Sequence, residues 1–160
     1  MNLALLIPLT FAAIVVARTA VAASDDLLPS LGSSVHTATS EFEKIADDRK
    51  IELKKIALFV QSKIAAGETA QVTYICTHNS RRSHFAQIWS QTAAAYYGVP
   101  HYQAFSGGIE VTACNERTVA ALKRAGFSIG DSDGSKNPVY LVKYSDKAEP
   151  IRSIRLLLLS

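Results

Sequence analysis

Cys76 and Arg82 stand six places apart in the segment CTHNSRRS, at the junction between a β-branched run and a helical pattern. A thiol at the end of a buried strand, in a loop opening onto a helix, meets the positive end of that helix, which favours the thiolate. The loop's backbone N–H groups and the helix N-terminus together make a cradle for an anion. Arg82 adds a planar fork that can hold two oxygens of a tetrahedral oxyanion. Ser83 can donate its hydroxyl hydrogen to the thiolate. One short turn thus supplies a nucleophile, an oxyanion clamp and a thiolate stabiliser.

Other chemistry-bearing residues carry less. His78 and His84 lie near Cys76, but their spacing matches no standard zinc pattern, and neither a metal nor a cofactor is expected. Cys114, the second of two cysteines, has Ala120 six places on and builds no second loop of this kind. Two cysteines also exclude a disulfide scaffold and a four-cysteine zinc site. A Cys76–Cys114 disulfide is open to an exported chain, although sequence does not supply its geometry. Asp131-Ser132-Asp133-Gly134 places its glycine too early for a calcium loop and reads as a turn. Trp89 falls on an apolar stripe and reads as core, while Tyr96 and Tyr97 read as packing at a helix end.

The elements that must position the loop follow from periodicity. Residues 71–76 (QVTYIC) read as a buried strand, and Phe85, Ile88, Trp89, Thr92 and Tyr96 form a helical stripe that ends at Gly98. HYQAF (101–105) is a second strand, followed by Ser106-Gly107-Gly108; residues 115–125 form a helix stopped by Gly126. VYLVKYS (139–145) alternates as a further strand. Upstream, Ser40 and Glu43 form a capping box that opens an amphipathic helix over 41–66, its stripe of Phe42, Ile45, Leu53, Ile56, Val60 and Ile64 expected to pack. Strands alternating with helices predict an α/β fold with parallel strands through residue 126.

The 160 residues suit one domain, and 48% apolar composition supports a core. A net charge of +3 is too slight to propose nucleic acid as a partner, and no repeat of solenoid period is present. Residues 3–17 are apolar but too short to span a membrane, and Ala20-Val21-Ala22 fits a cleavage site. Residues 1–23 are therefore expected to be a signal peptide, with export, a periplasmic destination and no stable membrane span once it is removed. Residues 24–39, rich in Ser, Thr, Pro and Gly, read as a linker.

With strand, loop, helix, Asn79 and Ser83 in place, CTHNSRRS resembles the C-x-x-N-x-x-R-S phosphate loop of the low-molecular-weight protein tyrosine phosphatases. That superfamily also contains the thioredoxin-coupled arsenate reductases. Ser106-Gly107-Gly108 is similar to the family's S-x-G turn, and Asn115 to the Asn that opens its next helix. The similarity covers residues 41–145, within a domain expected over 40–150, and looks like a bacterial branch. It implies a three-layer phosphatase-I-like fold on a parallel sheet, and hydrolysis of phosphate monoesters through a cysteinyl-phosphate. By position, Cys76 would be the nucleophile and Arg82 the transition-state clamp. Thr77, His78, Asn79, Ser80, Arg81, Arg82 and Ser83 would bind the phosphoryl group, chiefly through backbone N–H groups. Asn79 would hold the strained backbone, and Ser106 would support Ser83. The implied ligand is a phosphorylated protein, a small phosphate ester, or arsenate.

The sequence departs from the family in one respect that matters. The family's phosphatases use an Asp-Pro pair as general acid, and none of Asp131, Asp133 and Asp146 precedes Pro. Residues 151–160 do not match either, so the expectation is a C-terminally truncated copy, slow on phenol leaving groups. Arsenate reduction is the alternative, although Cys114 does not match the family's relay pair. A catalytically impaired fragment that binds phosphate or phosphotyrosine is a third reading.

Overall fold

A computed structural model of the chain describes residues 26–110, 114–130, 134–135 and 138–153. The expected leader 1–23, the 131–133 turn and the apolar run 156–159 lie outside the described residues. Helices α1 (Gly32–Ser40) and α2 (Asp47–Ala65) precede strand β1 (Ala70–Cys76). Helix α3 (Arg82–Tyr96) leads to β2 (Tyr102–Gly108), and α4 (Glu116–Ala125) to β3 (Ser128–Ile129), β4 (Tyr140–Lys143) and β5 (Ile151–Ser153). Strands β1 and β2 pair in parallel, with Ala70 opposite Tyr102 and Cys76 opposite Gly108. Strands β3, β4 and β5 form a separate antiparallel sheet in that order. The α/β class expected from sequence is the one observed, with α3 as the crossover between parallel strands.

Helix α3 is the central element because it is apolar on two sides. Ala94 packs with Ala70, Tyr102 and Ala104 under the parallel pair. Ile88 packs with Leu31, Leu122, Phe127, Val142 and Ile151 on the other side. There Trp89 meets Phe127 edge-on, with ring centroids 5.0 Å apart. Buried Gln87 donates its amide to the carbonyls of Ala104 and Arg152, both at 3.2 Å, and so stitches α3 to β2 and β5. Asn115 caps α4 by accepting from the Arg117 N–H at 2.9 Å, and Gly126 ends it at φ 108°. A Cβ at Gly126 would collide with the Ser30 carbonyl. No helix among the described residues is long and apolar enough to cross a membrane.

The structure alters four sequence expectations. The linker expected over 24–39 contains all but the last residue of α1, where Val35, with Leu31 and Leu27 one and two turns before it, packs on the main core. Ser and Thr hydroxyls there bond back to carbonyls of the preceding turn, as from Thr37 to Ser33 at 3.0 Å. The helix expected over 41–66 begins only at Asp47, and Ser40, read as its cap, ends α1 by donating to the Thr37 carbonyl. Its apolar stripe is largely solvent-facing: no α2 residue is buried, and among the described residues its contact with β1 runs through Val60 near its C-terminal end. Among the described residues strand β1 is covered on one face alone, and Ile75 is 61% exposed. Ile151–Ser153 pairs with β4, and both Ile151 and Ser153 are buried.

Candidate active site

The turn between β1 and α3 places Cys76 at the strand end and Arg82 at the first residue of the helix. Asn79 occupies the left-handed region at φ 41° and is fully buried. Its side chain makes that conformation tolerable by bonding locally. The Ser83 hydroxyl lies 3.1 Å from Cys76 Sγ and 3.0 Å from Asn79 Oδ1. A hydroxyl has one hydrogen, so the two contacts define two states. With a thiol at Cys76, Sγ–H donates to Ser83, which donates to Asn79. With a thiolate, the Ser83 hydrogen turns to Sγ.

Burial alone would push the Cys76 thiol up. The Ser83 hydroxyl and the backbone N–H groups of Ser83, Ser80 and Asn79 outweigh it and lower the thiol to about 7. The loop's carbonyls are occupied elsewhere. Thr77 O accepts from the N–H groups of Ile109 (3.0 Å) and Glu110 (2.9 Å), and Ser80 O accepts from the Asn115 N–H at 3.0 Å and the Thr118 hydroxyl at 3.2 Å. In a trans peptide each following N–H points the opposite way, so the N–H groups of His78 and Arg81 turn from those flanking segments. Cys76, His78, Ser80, Arg81, Arg82 and Asn115 line a cavity of about 180 Å³. It is small, half polar and doubly cationic, which suits a compact tetrahedral oxyanion. A larger cavity of about 590 Å³, between α2 and α3, shares no residue with it and is lined by apolar groups such as Val60 and Val99.

Of the predicted site residues, His78, Ser80, Arg81 and Arg82 line the cavity with Cys76. Asn79 and Ser83 sit beneath as buried support, and Thr77 contributes its carbonyl to the flanking loop. Ser106 is placed differently from the expectation. Its hydroxyl lies 3.3 Å from His84 Nδ1, because β2 runs beside the face of α3 that carries His84, not Ser83.

His84 itself was passed over in the sequence. It is fully buried, with Nε2 2.8 Å from the Asn79 carbonyl. A carbonyl only accepts, so Nε2 carries the hydrogen and Nδ1 is the acceptor. Nδ1 then receives the Ser153 hydroxyl at 2.7 Å, with Ser106 beside it. Burial holds this imidazole below its usual range, which keeps the single-proton form. The left-handed turn at Asn79 is thereby tied to β2 and β5. Gly108 was also missed as a requirement. A Cβ there would stand 2.5 Å from Asn79 N and 2.9 Å from Cys76 O. A polar residue on the buried stripe of α3 was the available signal for His84; nothing local signalled Ser153.

The chain is 29% identical over 75 residues to "Arsenate reductase 2" of Staphylococcus haemolyticus (strain JCSC1435), covering 47% of this chain and 54% of that protein. It is 33% identical over 60 residues to "Arsenate reductase 2" of Staphylococcus epidermidis RP62A, covering 38% and 43%. The same figures hold for "Arsenate reductase" of Staphylococcus epidermidis ATCC 12228. The chain thus spans about half the length of the curated relatives it matches. No family model matches it, and no solved structure does.

Proposed function

We propose that the chain is a cysteine-dependent enzyme acting on a tetrahedral oxyanion, with arsenate as its substrate. The carrying observation is the Cys76 thiol, held at about 7 in a small cavity that also presents Arg81 and Arg82. The resemblance to proteins named arsenate reductase selects arsenate among such anions. The cavity residues neutralise the bound anion, and Cys76 Sγ attacks arsenic. The Sγ–As bond forms as an As–OH bond of the arsenate breaks, and the departing hydroxyl takes a proton and leaves as water. Arsenic remains pentavalent. An external thiol then attacks Sγ: a disulfide forms, the Sγ–As electron pair moves to arsenic, and arsenite is released.

The reductant is placed outside the chain because Cys114 is poorly suited to the task. Burial pushes its thiol up to about 11, so almost none is thiolate at neutral pH. The same observation favours a second reading, hydrolysis of a phosphate monoester, which uses the same loop and needs no reductant. Incubating the chain with arsenate and a reduced dithiol, then with an aryl phosphate, separates the two. The first reading predicts arsenite formation that requires Cys76. Release of the phenol without arsenite would transfer the chain to the second reading, and neither product would remove both.

A further inference from the structure

We infer that His78, oriented by Glu110, is the proton donor to the oxygen that leaves when Cys76 attacks, a role resting on the reading of Cys76 as nucleophile. His78 Nδ1 lies 2.6 Å from Glu110 Oε2, and His78 lines the cavity that contains Cys76. The carboxylate comes from the segment after β2, at a sequence distance that gives no hint of the pairing. It is brought there by backbone bonds, since Thr77 O receives both the Ile109 and the Glu110 N–H. The pair is therefore a consequence of how the two loops are joined.

The geometry assigns the ring atoms. The Glu110 carboxylate accepts from Nδ1–H and fixes the plane of the imidazole. The other nitrogen, Nε2, is then the atom that exchanges a proton with the cavity's ligand. As the Sγ–As bond forms, the electron pair of an As–OH bond goes to the hydroxyl oxygen and the Nε2 proton follows it. Water departs, and His78 is left neutral with its Nδ1–H still on Glu110. With a phosphate ester the same transfer would go to the ester oxygen. Among the described residues, the charged groups around His78 include Glu110 on the β2 side and Cys76, Arg81 and Arg82 around the cavity.

The experiment follows loss of the Cys76 thiolate, by its ultraviolet absorbance, on mixing the full chain with arsenate across a pH range. Protection of Cys76 from iodoacetamide by inorganic phosphate reports whether the cavity still binds anions. For wild type the rate should rise as Cys76 ionises. In His78→Gln the rate should drop about 10²–10³-fold, with partial recovery on adding free imidazole and phosphate protection within about threefold of wild type. In Glu110→Gln the rate should drop about tenfold with phosphate protection unchanged, because the ring stays but its plane is no longer held. A His78→Gln chain that binds phosphate and reacts at the wild-type rate with the same pH profile overturns the role of His78 alone. A wild-type chain that binds phosphate but never reacts with arsenate overturns the nucleophilic reading, and this inference with it.

Discussion

Replacing Ser83 with Ala isolates the group that does most to lower the Cys76 thiol. The hydroxyl lies 3.1 Å from Sγ, and its bond favours the thiolate more than any of the backbone N–H groups of Ser83, Ser80 and Asn79 does. A hydrogen bond to a charged group contributes about 1.5–3 kcal/mol, equivalent to about 1–2 pKa units. Starting from about 7, half of Cys76 is thiolate at neutral pH. After the substitution that fraction should fall to about one-tenth to one-hundredth, so alkylation at pH 7 should slow about 5–50-fold. Iodoacetamide reaction rates across a pH series measure this directly. Wild type and Ser83→Ala should converge once both are fully ionised, since only the ionisation differs. An unchanged midpoint in Ser83→Ala would refute the assignment of Ser83. A uniform loss of rate at every pH would point instead to a collapsed loop.

Further outcomes follow from the same geometry. Gly108→Ala should destabilise the fold by about 1–3 kcal/mol in denaturant titration and raise the Cys76 midpoint, because the added Cβ meets backbone atoms of Asn79 and Cys76. Arg82→Lys should weaken phosphate protection of Cys76 about tenfold, as a point charge replaces a two-pronged donor. Below the unfolded value of 6.5, the unfolded chain protonates His84 while the buried folded form resists. Stability should therefore fall as pH drops below that value, with a slope of at most about 1.4 kcal/mol per pH unit from this group. A His84→Gln chain should show less of that slope; an equal slope would assign it to other groups. Cys114 should stay unalkylated in the folded chain at pH 7, and equal labelling of both thiols would contradict its burial.

What sequence revealed of the site was its contiguous part. Cys76, Asn79, Arg82 and Ser83 lie within eight residues, and the strand and helix on either side have short periods that are readable locally. The supporting groups come from elsewhere in the chain. Ser153 reaches His84 across 69 positions, and Glu110 reaches His78 through a backbone zipper between two loops. Neither pairing has a local pattern, so only the fold reveals them. The N-terminal region shows the opposite difficulty. Its Ser and Thr content masked the helical recurrence of Leu27, Leu31 and Val35, whereas the stripe of α2 had clear spacing but little surface to pack against. Periodicity reports that a face is apolar; what covers the face is decided by topology.

The central claim is that residues 76–82 form an oxyanion site around a reactive thiolate. Protection of Cys76 from iodoacetamide by arsenate and by inorganic phosphate tests it most directly. Protection should be saturable with both anions, weakened by Arg82→Lys and absent with a monovalent anion such as chloride at equal ionic strength. Alkylation of Cys76 at the same rate with and without either anion, in a folded chain, would contradict it.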